Sequence, residues 1–198
     1  MSDMTPFVAR LVMTLLTAAV IAIAFFSKNR LPARGNILAV LGSGGHTGEL
    51  LTMLKPAGYR PDFVFGQGDP LSVQKAQSAG FASSQFYELP RARRVGEGKL
   101  SSCVSVLRSF GAALRLVWRV KPRMVVCNGP ATCVVVVAAV RILRLTTKVV
   151  YVESLARVRD LSLSGYLIYQ LEMADEFLVQ WPELASKYPG TVHRGVLV

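Results

Sequence analysis

Residues 39–51, AVLGSGGHTGELL, combine a glycine-rich turn with a histidine. An apolar run ends at Leu41, a turn of four residues follows, and a helical pattern begins near His46 or Thr47. Backbone N–H groups in such a turn can approach a ligand closely, and the helix N-terminus adds partial positive charge. The segment therefore predicts a phosphate or pyrophosphate site. The residues assigned to this site are Gly42, Ser43, Gly44, Gly45 and Thr47, with the Ser43 and Thr47 hydroxyls as further donors.

Two side chains are candidates for a general base. His46 lies in the turn, where an imidazole beside a phosphate can hold charge or take a proton. Glu153 follows the apolar run KVVYV, at the expected carboxyl end of a strand, where the sites of α/β proteins form. A base that works near neutral pH is an imidazole or a carboxylate of raised pKa, so either residue can serve. The alternative roles are helix capping for His46, and orienting a substrate or capping the next helix for Glu153.

The sequence Asn-Gly-Pro at 128–130 follows another apolar run and reaches the same expected sheet edge. Asn128 and Gly129 are therefore candidates to line the substrate site, although these residue types are also ordinary in turns. Two histidines without an acidic cluster do not form a metal site, so no metal is expected.

The glycine spacing argues against a dinucleotide cofactor. Gly42, Gly44 and Gly48 depart from the G-x-G-x-x-G spacing, and Asp69 is poorly placed to bind a ribose. No Tyr-x-x-x-Lys sequence occurs in the chain. No bound cofactor is expected, and a membrane-anchored NAD(P)-dependent reductase stays an alternative.

The elements that must position these residues alternate between strand and helix. Apolar runs predict six strands, at 36–42, 62–66, 86–90, 123–129, 148–154 and 176–182. Helical patterns separate them at 46–55, 73–80, 100–120, 131–145 and 162–172. The run TCVVVVAAV at 132–140 favours a strand by local propensity, but we assign it to a helix because a parallel crossover needs one. The alternation predicts an α/β fold over residues 35–198, a Rossmann-like parallel sheet with helices on both faces.

Residues 11–26 carry no charge and, with 7–10, give about twenty residues, roughly the length of a membrane-spanning helix. Basic residues follow this run, so the positive-inside rule places the rest of the chain in the cytoplasm. Residues 1–34 are therefore predicted to be a single-pass membrane anchor and a short linker. A buried core helix and a cleaved signal peptide are the alternatives, but the Ala-x-Ala site of a signal peptide would lie inside the apolar run.

Hydrophobic residues make up 52% of the 198 residues and charged residues 18%, which excludes a disordered chain. Three cysteines without a C-x-x-C pair argue against a disulfide framework or a four-cysteine zinc site. The formal net charge is +11. Residues 91–148 hold twelve basic residues and one acid, so this stretch carries a charge equal to that of the whole chain.

Within the basic stretch, residues 100–120 form an amphipathic helix. Its predicted core face consists of Leu107, Phe110, Leu114, Val117 and Trp118, and a second face carries Arg108, Arg115 and Arg119. A helix packed on the core explains the apolar face. The alternative is that part of the surface rests on anionic lipid headgroups or guides a lipid-linked phosphate. No nucleic-acid-binding motif occurs, so a nucleic-acid partner is not expected.

Four segments, in this order behind one apolar N-terminal run, resemble a known family. They are LAVLGSGGHTGELL (38–51), VVCNGPATCV (125–134), YVESLARVRDLSLSGYL (151–167) and FLVQWPELASKYP (177–189). The family is the membrane-anchoring subunit of the two-part GlcNAc transferase of asparagine-linked glycosylation. More distantly, GSGGH and the Glu153 segment resemble the N-terminal half of the bacterial lipid-linked GlcNAc transferase of peptidoglycan synthesis.

The resemblance implies the acceptor-side half of a metal-independent, inverting glycosyltransferase of the GT-B type. The reaction it implies moves GlcNAc from UDP-GlcNAc to the 4-hydroxyl of dolichyl-pyrophosphate-GlcNAc, the second step of lipid-linked oligosaccharide assembly. It implies a location on the cytosolic face of the endoplasmic reticulum membrane and a soluble UDP-GlcNAc-binding partner subunit. Neither subunit is expected to act alone. A non-catalytic membrane scaffold that recruits the partner is a further alternative.

Overall fold

The computed structural model describes residues 35–91, 99–143 and 145–198. The predicted anchor over residues 1–34 lies outside this part of the chain. Within the described ranges, no helix combines the length and apolar character needed to cross a membrane.

Seven parallel strands form one sheet in the order β3-β2-β1-β4-β5-β6-β7. The strands are β1 (Gly35–Val40), β2 (Asp62–Gly66), β3 (Phe86–Leu89), β4 (Pro122–Cys127), β5 (Lys148–Val152), β6 (Glu176–Val179) and β7 (Val192–His193). The helices between them are α1 (Gly45–Leu54), α2 (Pro70–Ala76), α3 (Lys99–Val120), α4 (Ala131–Ile142), α5 (Leu163–Gln170) and α6 (Pro182–Lys187). A short π-helical turn, Gln77–Phe81, follows α2. The predicted parallel sheet with intervening helices is confirmed.

The prediction of six strands is wrong by one. Strand β7 contains two residues and pairs in parallel with β6, so it is too short to produce an alternating pattern in the sequence. Helix α6 was also missed, because its six residues begin within the predicted strand 176–182. The strands predicted to end at 42, 129 and 154 end two residues earlier, since the residues after them leave the sheet as loops.

The apolar run at 132–140 lies in a helix, as predicted. Seven residues of α4 are buried, and they belong to the larger of two hydrophobic clusters. Burial between the sheet and neighbouring helices therefore outweighs the strand preference of four consecutive valines.

The sheet is covered on both faces. Leu38 and Val40 of β1 belong to the cluster that includes α3, α4 and α5, whereas Ala39 and Leu41 belong to the cluster that includes α1 and α2. Successive side chains of a strand point to opposite faces, so β1 contributes to both cores. This arrangement explains its continuous apolar sequence.

The predicted core face of α3 is confirmed for Phe110, Leu114 and Val117, which pack against the core, and is wrong for Leu107 and Trp118. Ala113, Leu116 and Val117 are buried, whereas Leu107 and Trp118 are 66% and 51% exposed. Ser109 and Ala113 share the buried side with Leu116 and Val117, whereas Leu107 and Trp118 lie on another side. Three arginines are exposed with them. We call this surface the α3 outer face; its members are Val104, Leu107, Arg108, Arg115, Trp118 and Arg119.

Strands β1 and β4 are neighbours in the sheet, although β1 connects onward to β2 on its other side. The strand order therefore reverses between them, and α/β folds place their ligand-binding crevice at such a point, outside the carboxyl ends of the strands. In the sheet register, Val40 is opposite Cys127, which is opposite Tyr151 of β5. The loops after β1, β4 and β5 consequently lie side by side at this crevice.

Candidate functional site

The glycine-rich loop after β1 presents an open surface. Ser43, Gly44 and Gly45 are exposed, and a Cβ atom built on Gly44 or Gly45 would meet no atom within 4 Å. Gly44 has φ 70° and ψ −124°, a conformation that favours glycine. Gly42 differs, because a Cβ there would lie 2.9 Å from Cβ of His46 and from Cγ of Pro130. Thus Gly42 allows close packing, and Gly44 and Gly45 leave space for a ligand.

Thr47 stabilises this loop by a hydrogen bond made inside the fold. Its side chain is buried, and its hydroxyl donates to the carbonyl oxygen of Gly42. Ser72 Oγ lies 2.9 Å from Thr47 Oγ1 and donates to Asp69 Oδ2 at 2.7 Å. The Thr47 hydroxyl is therefore used inside the fold and is not free to be the further donor to a ligand that the sequence suggests.

His46, Asn128 and Gly129 are brought together, as their positions at strand ends predict. Nδ1 of His46 lies 3.2 Å from Oδ1 of Asn128, which is fully buried. Gly129 has φ +81°, and a Cβ on it would lie 2.4 Å from Cε1 of His46. The imidazole therefore lies against the backbone of Gly129, at the mouth of the crevice.

Glu49 and Ser154 join the same group, and sequence reasoning missed both. Nδ2 of Asn128 donates to Glu49 Oε2 at 3.1 Å, and Ser154 Oγ donates to Glu49 Oε1 at 2.9 Å. The available signal was the spacing of His46 and Glu49, since residues three apart share one face of a helix. The contacts with Asn128 and Ser154 depend on strand order, which local spacing does not reveal.

Glu153 points into the fold. Its side chain is fully buried, and Oε1 accepts from the Ser154 N–H at 3.0 Å. Oε2 accepts from both the N–H and the hydroxyl of Ser162, at 2.9 and 3.0 Å. Burial raises the pKa of Glu153, and these hydrogen bonds oppose the rise.

The carboxylate of Glu153 holds the loop 154–162 against α5. Ser162 caps α5, because its hydroxyl accepts from the Gly165 N–H at 3.0 Å. A Cβ on Gly165 would lie 2.1 Å from Glu153 Oε2, so only glycine leaves room for the carboxylate. Trp181 supports the other end of the loop by donating from Nε1 to the carbonyl of Leu155 at 2.7 Å.

The part of the chain that the structure describes contains no group of three or more histidine, cysteine or acidic side chains arranged to hold a metal ion. The crevice presents an imidazole, two carboxylates of different exposure, an amide and a glycine-rich loop.

The family profile described as "Oligosaccharide biosynthesis protein Alg14 like" matches residues 37–197. The chain belongs to the Alg14 family. The match spans the three loops of the crevice and confirms the resemblance found in the four sequence segments.

Relatives of the Alg14 family named "UDP-N-acetylglucosamine transferase subunit ALG14" are similar over most of their length. The protein of Yarrowia lipolytica is 42% identical over 176 residues, covering 82% of this chain and 81% of its own. The Rattus norvegicus protein is 38% identical, with 82% of each chain covered. The Homo sapiens protein is 36% identical, covering 82% of this chain and 83% of its own.

The fold of this Alg14-family chain is similar to that in the crystal structure of Acinetobacter baumannii MurG. The TM-score is 0.58 at 14% sequence identity, and the match covers 83% of this chain and 44% of MurG. The likeness concerns the fold, and it confirms a Rossmann-like domain of the GT-B type. The reductase and scaffold alternatives gain no support from these relatives.

Proposed function

We propose that this chain is the membrane-anchored, acceptor-side subunit of a two-part inverting glycosyltransferase. In this proposal a soluble partner subunit binds UDP-GlcNAc, and the complex transfers GlcNAc to the 4-hydroxyl of dolichyl-pyrophosphate-GlcNAc on the cytosolic face of the endoplasmic reticulum. The observation that carries the proposal is the position of His46 beside the glycine-rich loop, at the crevice where the strand order reverses.

The loop after β1 suits the pyrophosphate of the acceptor. Gly44 and Gly45 leave open space above the backbone, and the first N–H groups of α1 have no acceptor within their own helix. An anion seated there is stabilised by hydrogen bonds and by the helix dipole. The net charge of +11 also attracts an anionic substrate by long-range electrostatics.

His46 is the general base in this proposal. An Nδ1–H that donates to Asn128 leaves Nε2 unprotonated in the neutral ring. Nε2 takes the proton of the 4-hydroxyl as that oxygen bonds to the anomeric carbon of the donor, and UDP leaves from the opposite side with the electrons of the broken bond. Glu153 is the weaker candidate, because its carboxylate is buried and already accepts three hydrogen bonds. We assign Glu153 the role of holding the loop 154–162 at the crevice.

The assignment of acceptor and donor binding to two different subunits rests on the size of the described domain and on the names of the relatives. The described residues form one parallel sheet, and the match to MurG covers 44% of that chain. The relatives from Yarrowia lipolytica, Rattus norvegicus and Homo sapiens are each named a transferase subunit. A second domain, supplied by the partner, would therefore complete the crevice and bring the donor sugar.

The α3 outer face supports action at a membrane. Val104, Leu107 and Trp118 are exposed beside three arginines, and α3 contains no acidic residue. Apolar side chains interleaved with arginines suit the interface between lipid headgroups and acyl chains. The anchor predicted over residues 1–34 would keep this surface close to the bilayer.

The test is transfer of GlcNAc from UDP-GlcNAc to a short-chain lipid-pyrophosphate-GlcNAc. We expect activity only when the full chain and the soluble partner are mixed, and a fall in kcat of about a hundredfold or more for His46→Ala. His193→Ala is the matched control, because His193 is exposed on β7. An assembled wild-type complex without transfer would contradict the function. Full activity of His46→Ala would contradict only the assignment of the base.

A further inference from the structure

Glu49 lies on α1, one helical turn after His46, and its side chain is half-buried. Its two carboxylate oxygens contact two different loops. Oε2 accepts from Asn128 in the loop after β4 at 3.1 Å, and Oε1 accepts from Ser154 in the loop after β5 at 2.9 Å. One carboxylate thus connects the three segments that form the crevice.

The contacts of Asn128 determine which way its amide points. Nδ2 faces two groups, the Glu49 carboxylate and the carbonyl oxygen of Val152 at 3.3 Å. Both groups act as acceptors here, so the amide nitrogen must face them. The amide oxygen is then left facing Nδ1 of His46 at 3.2 Å.

The reverse orientation would be costly. It would place Oδ1 of Asn128 against the Glu49 carboxylate and against a carbonyl oxygen, three acceptors without a hydrogen. Asn128 is fully buried, so water cannot replace the lost hydrogen bonds. The negative charge of Glu49 repels Oδ1 of Asn128 more strongly than the carbonyl of Val152 does, so Glu49 adds most to the cost of the reverse orientation.

An acceptor facing Nδ1 of His46 requires a proton on Nδ1. In the neutral ring Nε2 then carries a lone pair, which is the state that a general base needs. A histidine side chain free in water favours the other tautomer, with the proton on Nε2. The local structure must therefore impose the useful tautomer.

We propose that Glu49 is a positioning residue that fixes the amide of Asn128 and, through it, holds His46 as the Nδ1–H tautomer. The use of Nε2 as a base rests on the proposed function, whereas the tautomer itself does not. Glu49 acts through Asn128 and requires no contact with substrate.

The direct test is ¹⁵N NMR of histidine-labelled full chain in detergent micelles. The chain has two histidines, so a His193→Ala background leaves the His46 ring as the only signal. We expect the Nδ1–H tautomer in the otherwise wild-type chain and a shift toward Nε2–H in Glu49→Leu, which has no acceptor for Asn128. Glu49→Gln keeps one acceptor oxygen and should retain much of the Nδ1–H form. Glu183→Leu, at an exposed glutamate of α6, is the matched control and should change nothing.

Two NMR results would overturn the proposal. One is an Nε2–H tautomer of His46 in the chain with Glu49 intact. The other is an unchanged Nδ1–H tautomer in Glu49→Leu. If Glu49→Leu fails to fold, Glu49→Lys replaces it. Its ammonium donates to Oδ1 of Asn128, should reverse the amide and should give the Nε2–H form.

A kinetic measurement on the complex with the partner subunit separates this proposal from the proposed function. Glu49→Leu is expected to lower kcat on the order of tenfold to a hundredfold, part of what a general base contributes, and Glu49→Gln should recover part of the loss. KM for UDP-GlcNAc should stay unchanged, because the donor site is assigned to the partner. A wild-type complex without transfer would contradict the proposed function and leave the NMR result to decide the role of Glu49.

Discussion

A Cβ atom on Gly129 would lie 2.4 Å from Cε1 and 2.6 Å from Nδ1 of His46, so the imidazole occupies space that only glycine leaves. The loop after β4 therefore determines the position of a side chain on α1. Residues 83 positions apart in the sequence form one unit, because β1 and β4 are adjacent strands.

Gly129→Ala is expected to displace the His46 ring and lower kcat at least tenfold, a loss within the range of general-base catalysis. The alanine also has to adopt φ +81°, which costs about 1–2 kcal/mol. Transfer assays on the complex and thermal unfolding of the chain measure the two effects.

Gly190→Ala separates the two effects of the Gly129 substitution. Gly190 has φ +88°, and a Cβ on it would meet no atom within 4 Å. The Gly190→Ala substitution should therefore lower the free energy of unfolding by an amount similar to the backbone strain of Gly129→Ala, without moving His46. Equal losses of kcat in both variants would show that backbone strain, and not contact with the imidazole, causes the effect.

Glu153→Gln is expected to lower the free energy of unfolding by about 1–3 kcal/mol, as for a buried donor that loses its acceptor. The carboxylate of Glu153 accepts from Ser154 with one oxygen and from Ser162 with the other. Glutamine has a single acceptor oxygen, so its NH₂ group faces a donor in either orientation. Urea denaturation measures the loss, and an unchanged midpoint would contradict the bonding described for this carboxylate.

The pH dependence of the same variant has a definite sign. Burial raises the pKa of Glu153 above its ordinary value, so the folded chain binds this proton more tightly than the unfolded chain does. At pH values between the ordinary and the raised pKa, the free energy of unfolding of the wild type increases relative to that of Glu153→Gln as the pH falls. This relative increase in wild-type stability is lost as the pH rises through the raised pKa. Denaturation of both proteins at several pH values below neutral checks this, and a difference that is constant or shrinks toward acid would contradict it.

Gly45→Ala tests the anion-binding role of the loop after β1. The fold has room for the added methyl group, so stability should hold within about 0.5 kcal/mol, as at other surface positions. A ligand that lies against the backbone has no such room, and we expect binding of a lipid-pyrophosphate to weaken several-fold. Gly48→Ala, whose added methyl group also meets open space, is the control further along α1. Unchanged binding by Gly45→Ala would contradict the placement of the pyrophosphate.

The sequence predicted much of the fold and part of the site. Apolar runs alternating with helical patterns identified the parallel sheet, and carboxyl ends of parallel strands meet at one edge, so His46, Asn128 and Glu153 were correctly placed there. Glu49 was not predicted as a site residue, because its hydrogen-bond partners lie 79 and 105 positions away in the sequence. The direction of the Glu153 side chain depends on its bonds to Ser162, and no residue pattern encodes those.

On α3, Phe110, Leu114 and Val117 pack on the core as predicted, but Leu107 and Trp118 were misassigned for a different physical reason. Helical spacing groups apolar residues into a stripe, but it does not show which stripe contacts the core. Ala113 and Leu116 lie at the packed face, and Leu107 and Trp118 remain exposed. An exposed stripe of this kind needs an explanation outside the domain's own core.

The last prediction is that Trp118 contacts anionic lipid when the full chain is reconstituted in vesicles. The chain has two tryptophans, and Trp181 is bonded within the fold, so Trp181→Phe leaves Trp118 as the only fluorescent indole. Brominated acyl chains should quench Trp118 in vesicles that contain phosphatidylserine. Replacing Arg108, Arg115 and Arg119 by Gln, or raising the salt concentration, should reduce the quenching, because both weaken attraction to the charged surface. Equal quenching in neutral and anionic vesicles would contradict the role of the arginines, and its absence in both would contradict contact between the α3 outer face and the bilayer.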